Sequence, residues 1–271
     1  MIAQTFCIAH KPIKIDLGEK SQVIWLGDAE IDRSKYYCKQ VHVAELALHL
    51  DARHTFLSGS AGTFAIRYLI ENNMDFYTGK SISIIQYRKI ISKNPLGPFA
   101  KNYHGMVLIP SAEAILMDID LIQSEINTPF LISQPGGLGN LYVHYANGHK
   151  IQDLLRYIAI AIDLEVITPE ESAEIFESTW LFPGGIEFGV FPADFYINTI
   201  KKLEDICLEF LKHHTPASFD PYQRRALAFC NERLGSFLLK KHLSLGLSEG
   251  DSFPPEYFGY MHTIIDGDLY T

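Results

Sequence analysis

Short apolar runs alternate with helix-like repeats along the first part of the chain. Runs that are rich in β-branched and aromatic residues predict strands at 5–10, 22–28, 81–87 and 105–110. Between them, residues 41–52 and 63–72 carry apolar side chains at helical spacing. Because strands and helices alternate, the sequence predicts an α/β domain with a largely parallel sheet.

The second half of the chain is more helical. Its patterns predict helices at 148–164, 168–179, 193–214 and 220–243. Thr168 is expected to cap the second of these helices, with Pro169 at the first helical position and Glu171 three residues after the cap. Glycines interrupt residues 180–195, which predict a strand pair or turn, and the tail 244–271 is predicted to be irregular.

Composition favours a single globular domain spanning 1–271, because 47% of its residues are hydrophobic. A net charge of −9 argues against a nucleic-acid partner. The four cysteines are far apart and form no C-x-x-C pair, which is typical of reduced thiols in a cytoplasmic protein. Neither a secretory leader pattern nor an apolar run of about 18 residues occurs, so we expect a cytoplasmic location.

A cluster of polar side chains ends the strand predicted at 81–87. Gln86, Tyr87, Arg88 and Lys89 follow five residues that read as a buried strand. In open α/β sheets, ligands bind beyond the carboxyl ends of the strands, and an arginine there offers a planar fork of donors to phosphate or carboxylate. The alternative is a pair of solvent-exposed cations at a strand end.

Two further stretches suggest anion or metal binding. Small residues at 58–63 precede a helix, where free backbone N–H groups favour an anion, although a tight turn with a helix cap explains them more simply. Asp118 and Asp120 form an Asp-x-Asp pattern of the kind that holds Mn²⁺ or Mg²⁺ against a diphosphate. Capping carboxylates are the favoured interpretation of that pair.

Other carboxylates are candidates for proton transfer. Glu187 lies among glycines, which often mark the close approach of a ligand, so it is the first candidate for a general base, and Asp194 is the second. Glu45 lies in the predicted helix 41–52 and is a candidate buried acid. Glu232 shares a face of the last long helix with Arg225, and the two either pair or both point into a cleft.

Several motifs recur in one order along nearly the whole chain. They are His10-Lys11; Glu45-Leu46; Gln86-Tyr87-Arg88-Lys89; Tyr145, His149 and Asp153-Leu154; the segment 188–191; and Tyr222, Arg225 and Glu232-Arg233-Leu234. In this order they resemble a family of glycosyltransferase-like proteins encoded in bacterial capsule and O-antigen gene clusters. The family signature is His-Tyr-Arg-Arg where this chain has Gln-Tyr-Arg-Lys, and the stretch at 58–63 differs from the family, so the chain resembles a divergent branch.

This resemblance implies a fold and an activity. The fold would be a single nucleotide-sugar-binding α/β domain of the GT-A glycosyltransferase type with a helical C-terminal part. Its nucleotide-binding half would be 1–110 and its acceptor-side half 111–243. The activity would be that of a hexosyltransferase-like enzyme, which moves a sugar from a nucleotide donor, with a UDP-sugar favoured, to a bacterial surface glycan or lipid-linked glycan.

The resemblance also assigns roles to residues. The nucleotide and diphosphate would be held without a metal ion by His10, Lys11, Tyr87, Arg88 and Lys89, with Arg225 or Arg233 assisting. Acceptor-binding or structural roles would fall to Glu45, His149 and Glu232.

Two alternatives stay open. One is a metal-dependent transferase in which Asp118 and Asp120 hold Mn²⁺ or Mg²⁺. The other is a non-catalytic glycan-assembly partner with the same fold. The aromatic tail either packs on the core or contacts the acceptor, a second copy, or a glycan lipid at the inner face of the cytoplasmic membrane.

Overall fold

The alternating elements of the first half assemble into one mixed sheet. The computed structural model describes residues 2–27, 31–101, 106–217, 220–248 and 251–266. The strands are β1 (Ile2–Ala9), β2 (Ser21–Trp25), β3 (Lys39–His42), β4 (Ser81–Gln86), β5 (Lys89–Ser92), β6 (Met106–Pro110), β7 (Ile132–Ser133), β8 (Gly136–Gly137), β9 (Trp180–Leu181), β10 (Gly189–Pro192) and β11 (Phe258–Ile265).

Helices follow the strands and dominate the second half. They are α1 (Val43–Leu46), α2 (Leu48–Asp51), α3 (His54–Leu57), α4 (Ser60–Glu71), α5 (Met74–Tyr77), α6 (Ser111–Ala114), α7 (Ile119–Ser124), α8 (Leu141–Gly148), α9 (Ile151–Asp163), α10 (Pro169–Glu177), α11 (Ala193–His213) and α12 (Ala226–Leu243). Within the described ranges, no helix is both long enough and apolar enough to cross a membrane.

The strand order confirms the predicted α/β fold with a mostly parallel sheet. The order is β3-β2-β1-β4-β5-β11-β6, with β10 paired to β4 and β7 paired to β11. Strands β1 to β4 run parallel to their neighbours within this group, whereas β5 and β10 run antiparallel to β4. The turn between β4 and β5 consists of Tyr87 and Arg88, since Gln86 pairs with Lys89.

Both faces of the sheet are covered, which explains the nearly continuous apolar runs of its central strands. Along β1, Phe6 and Ile8 point into the larger core, and Cys7 and Ala9 point into a second core on the other face. The larger core combines residues of β1, β4 and α4 with residues of α9, α11 and α12. The helical second half therefore shares one core with the sheet. All four cysteines are buried and unpaired.

The capping of α10 follows the sequence prediction. Thr168 accepts a hydrogen bond from the backbone N–H of Glu171, and the Glu171 side chain accepts one from the backbone N–H of Thr168. This reciprocal pair satisfies two donors that a helix start otherwise leaves free.

The prediction of an irregular tail is wrong for Phe258–Ile265. This segment is β11, which lies inside the sheet between β5 and β6 and runs parallel to β6. Its residues are mostly apolar, aromatic or β-branched, so they fit a pleated, buried position. The aromatic residues before it pack on the core, where the Phe253 ring lies 6.2 Å from Phe182 and the Tyr257 ring lies 5.5 Å from Phe130.

Three other local predictions are corrected by the structure. The predicted strand pair within 180–195 does not form, because β9 pairs with β8 and β10 pairs with β4. The helix predicted at 41–52 is interrupted, since β3 extends to His42 and two short helices follow. The last long helix begins as a 3-10 turn at Gln223–Arg225 and becomes α-helical at Ala226.

Candidate functional site

A cavity of about 350 Å³ lies beyond the carboxyl ends of β1 and β4. Its walls come from the end of β1, the β4–β5 turn, the start of α4, the loop before β10 and the first turns of α12. In an open α/β sheet this is the edge at which ligands bind. The topology therefore places the cavity where the strand-end cluster was expected to act.

Four cations converge on this cavity: Lys11, Arg88, Lys89 and Arg225. In the described part of the chain, no carboxylate oxygen lies within 4.0 Å of a side-chain nitrogen of any of them. Burial lowers the pKa of Lys89, Glu232 opposes this effect, and Arg88 and Arg225 reinforce it. Like charges held together without partners attract an anion, so the cavity is suited to a phosphate or carboxylate.

His10 and Tyr87 also line this cavity. Their rings meet edge to face, with centroids 4.8 Å apart. Burial lowers the pKa of His10, and the charge of Lys11 lowers it further. Both effects favour the neutral form of His10, in which the ring can donate or accept a hydrogen bond.

Arg225 rests on aromatic faces instead of a carboxylate. Its guanidinium carbon lies 4.9 Å from the ring centre of Tyr222 and 5.4 Å from that of Phe229. Its Nε is buried and has no hydrogen-bond partner among the described residues. Because Arg225 lines the cavity and pairs with no carboxylate among the described residues, its charge is available to an anionic ligand.

His149 lies behind this aromatic support. Its ring stacks on Phe229 with centroids 4.0 Å apart, and its Nδ1 lies 3.3 Å from Gln223 Oε1. The side chain of His149 does not line the cavity. Of the two roles predicted for it, its contacts fit the structural one.

Glu187 is a buried carboxylate in the wall of the same cavity. Ser60 donates a hydrogen bond from its hydroxyl to Glu187 Oε1. Burial raises the pKa of Glu187 from 4.5 to about 8, and the neighbouring charge of Glu232 contributes to the rise. A carboxylate with a pKa near the working pH is suited to accept a proton from a hydroxyl.

Glu232 also lines the cavity, but its oxygens are engaged. Oε1 accepts a hydrogen bond of 2.8 Å from the backbone N–H of Gly184, and Oε2 lies 2.7 Å from Arg233 Nη1. Arg233 points away from the cavity, donates to the Phe229 carbonyl at 3.0 Å and lies over the Tyr145 ring. The structure thus separates Arg233 from the other predicted donor-binding residues.

Asp194 and Glu45 lie outside the cavity. Asp194 is in the first turn of α11 and lines a different depression, together with Lys202 and Lys241. Glu45 forms a capping box with His42, whose backbone N–H donates to Glu45 Oε1 at 2.9 Å. Neither carboxylate is placed to act on a ligand bound between the four cations.

Asp118 and Asp120 lie near the opposite end of β1. Asp118 caps α7 by accepting from the backbone N–H of Asp120 at 2.8 Å. Asp120 accepts from the Lys20 backbone N–H at 3.3 Å and lines a second cavity with Gln4, from the first half of β1. No group of three or more His, Cys, Asp or Glu side chains is arranged to hold a metal ion in the ranges that the structure describes.

The start of α4 opens into the cavity through Ser58 and Gly59. Ser58 has a φ of 50°, which is uncommon for a residue other than glycine. No side chain caps α4, because its N-cap residue is Gly59, and the hydroxyl of Ser60 donates to Glu187. The simple turn-and-cap interpretation of this stretch is therefore incomplete, and the contact between Ser60 and Glu187 had no signal in the sequence.

Gly185 holds the loop that carries Glu187 against α12. Its φ is +54°, and an added Cβ would lie 2.7 Å from the Glu232 carbonyl oxygen. We therefore expect Gly185→Ala to destabilise the protein by about 3 kcal/mol, as strain and overpacking combine. Urea unfolding measures this change. Gly137→Ala is the matched control, because nothing lies within 4 Å of its added Cβ. An equal loss of unfolding free energy in both variants would contradict the close packing of Gly185 against α12.

The sequence and the fold of this chain differ in what they resemble among known proteins. Neither the protein-family models nor the curated proteins contain a match to the sequence. The fold is similar to that of a solved structure described as WbbM bifunctional glycosyltransferase, in its apo form, with a TM-score of 0.70 and 14% sequence identity. The alignment covers 97% of this chain but only 45% of that one. At this identity the likeness shows that the chain has a fold also found in a glycosyltransferase.

Proposed function

We propose that the chain is a glycosyltransferase that moves a sugar from a nucleotide-sugar donor to a bacterial surface-glycan acceptor. The observation that carries the proposal is the convergence of Lys11, Arg88, Lys89 and Arg225 on one cavity without a carboxylate partner among the described residues. The likeness of the fold to that of a glycosyltransferase supports it.

A nucleoside diphosphate fits this cavity chemically. Its two phosphates carry negative charges that can pair with the four cations, and arginine binds phosphate oxygens with two parallel hydrogen bonds. As the bond to the sugar breaks, negative charge grows on the departing diphosphate, and fixed cations stabilise that charge. In this proposal the cluster of Tyr87, Arg88 and Lys89 does the work that a metal ion performs in other transferases.

Glu187 is the proposed general base. The acceptor hydroxyl oxygen forms the new bond to the sugar carbon while the bond from that carbon to the phosphate oxygen breaks. The bonding electron pair leaves on the diphosphate, and the hydroxyl proton passes to Glu187. With a pKa of about 8, Glu187 is a stronger base than an ordinary carboxylate, although only part of it is ionised at neutral pH.

A nucleotide screen tests the proposal and its alternatives. We expect UDP, GDP, CMP or dTDP to raise the melting temperature of the protein in EDTA, with UDP favoured, because the cations bind the diphosphate themselves. A rise that requires Mn²⁺ would instead favour Asp118 and Asp120 as metal ligands. No rise with any nucleotide would favour the non-catalytic glycan-assembly partner.

A matched pair of arginine variants ties the screen to the cavity. Arg225→Ala should remove most of the nucleotide-dependent rise, because it deletes one of the four cations. Arg224→Ala is the control, since Arg224 is the exposed neighbour in the chain and lies outside the cavity wall. Equal shifts in the two variants would place the nucleotide elsewhere.

A further inference from the structure

A line of polar side chains crosses the larger core and ends at Glu187. The Tyr157 hydroxyl lies 2.6 Å from Asn231 Oδ1, and the Cys207 thiol lies 3.3 Å from the same oxygen. Asn231 Nδ2 lies 2.9 Å from Ser60 Oγ, and Ser60 donates to Glu187. The residues come from α9, α11, α12, α4 and the loop before β10, and all five are buried.

The hydrogen bonds of this line have one consistent direction. An ionised Glu187 can only accept, so the Ser60 hydroxyl must donate to it. The oxygen of Ser60 then accepts from the Asn231 amide nitrogen, which leaves the Asn231 oxygen to accept from Tyr157 and Cys207. Every donor therefore points toward the carboxylate, and the orientation of the Asn231 side chain is determined by its neighbours.

We propose that Ser60 and Asn231 are positioning residues, which hold the Glu187 carboxylate in a fixed orientation at the cavity wall and favour its ionised form. The catalytic role of that carboxylate rests on the proposed function, but the hydrogen-bonded line itself does not. Neither residue lines the cavity. Both act through Glu187, and Tyr157 supports them from the far end of the line.

The effect of Ser60 and Asn231 on Glu187 can be distinguished from that of other titratable groups nearby. Glu232 is the neighbouring charge that acts on it. Tyr157, Tyr196 and Cys207 also interact with it, and burial raises the pKa of each well above its ordinary value. These three groups therefore stay neutral over the range in which Glu187 titrates.

The experiment measures the ionisation of Glu187 without nucleotide or turnover. The free energy of urea unfolding is measured from about pH 5 to about pH 10 for the protein and for Glu187→Gln. The difference between the two free energies changes with pH and levels off at the pKa of Glu187. The same difference in unfolding free energy is then measured between Ser60→Ala and the double variant that carries both Ser60→Ala and Glu187→Gln. We expect the levelling point to move up by about one pH unit, because a donor to the carboxylate is lost.

Two further variants keep the test decisive. Tyr157→Phe removes only the far hydroxyl and should move the levelling point in the same direction by less. Ser83→Ala is the control, because Ser83 is buried and its hydroxyl has no partner within the described ranges. An unmoved levelling point in both Ser60→Ala and Tyr157→Phe would overturn the positioning role.

The pH dependence of transfer distinguishes this inference from the proposed function. If both hold, the rise of kcat with pH moves in step with the stability curve in Ser60→Ala, and KM changes little. A moved stability curve in a protein that binds no nucleotide and transfers no sugar would sustain the positioning role and refute the transferase. Sugar transfer together with an unmoved stability curve in Ser60→Ala would support the transferase and refute the positioning role.

Discussion

Glu187→Gln should strongly slow sugar transfer and, at alkaline pH, make the protein more stable. The loss of activity follows because glutamine cannot take the proton of the acceptor hydroxyl, and we expect a fall in kcat of about 1,000-fold with little change in nucleotide affinity. The gain in stability follows from burial, because the carboxylate is charged at high pH in a site that disfavours charge.

The sign of the stability effect depends on the two states of Glu187. Its pKa is about 8 in the folded protein and about 4.5 when it is exposed, so between these values the folded state binds more protons than the unfolded state. The free energy of unfolding therefore falls as pH rises from about 4.5 to about 8 and then levels. Glutamine removes this loss, which is on the order of 5 kcal/mol.

Urea unfolding of the two proteins checks this prediction. The curves should meet near pH 4.5, where Glu187 is largely protonated, and separate as pH rises. Glu174→Gln is the matched control, because Glu174 is exposed on α10 and should show no such separation. Parallel curves for the protein and Glu187→Gln would show that Glu187 is not held protonated by burial, and unchanged turnover would remove it as the base.

Arg88→Ala should lower kcat/KM for transfer by at least about 100-fold while leaving the melting temperature unchanged. Arg88 is exposed in the β4–β5 turn and has no ion pair in the part of the chain that the structure describes, so little stability depends on it. Its predicted role is to bind the diphosphate as negative charge develops there. Loss of one such donor costs about 100-fold to 1,000-fold in other enzymes.

Two variants separate charge from shape in this prediction. Arg88→Lys keeps the charge but loses the planar fork, so its activity should fall between those of the protein and Arg88→Ala. Arg224→Ala removes an exposed arginine outside the cavity and should have no effect. Full activity in Arg88→Ala would contradict the proposed cation cluster.

The strand-end cluster was predictable because its signal is local. A buried strand followed by Tyr87, Arg88 and Lys89 places these side chains at one edge of the sheet in an α/β fold with a largely parallel sheet. Glu187 was a candidate because glycines surround it, and positive φ angles at Gly184 and Gly185 confirm that the loop needs them. In both cases the relevant residues are close together in the sequence.

The predictions that failed concern the directions in which side chains point and the ends of the sheet at which they lie, and sequence spacing does not reveal either. Glu232 and Arg233 are consecutive on α12, and consecutive side chains on a helix point about 100° apart. Glu232 therefore reaches the cavity while Arg233 turns toward Tyr145. Asp118 caps α7 and Asp120 lies in its first turn, near the other end of β1, and only the strand order and helix positions decide this placement.

The sequence by itself determined the α/β class, the cap of α10 and the cluster of cations at the end of a strand, because periodicity and local chemistry specify them. Only the tertiary structure decided that β11 lies inside the sheet and that Arg225 joins Arg88 in one cavity. It alone brought Ser60 and Asn231, 171 positions apart, into contact beside Glu187. These contacts depend on packing between distant segments, and the free energy of that packing is shared over the whole core rather than encoded in any one motif.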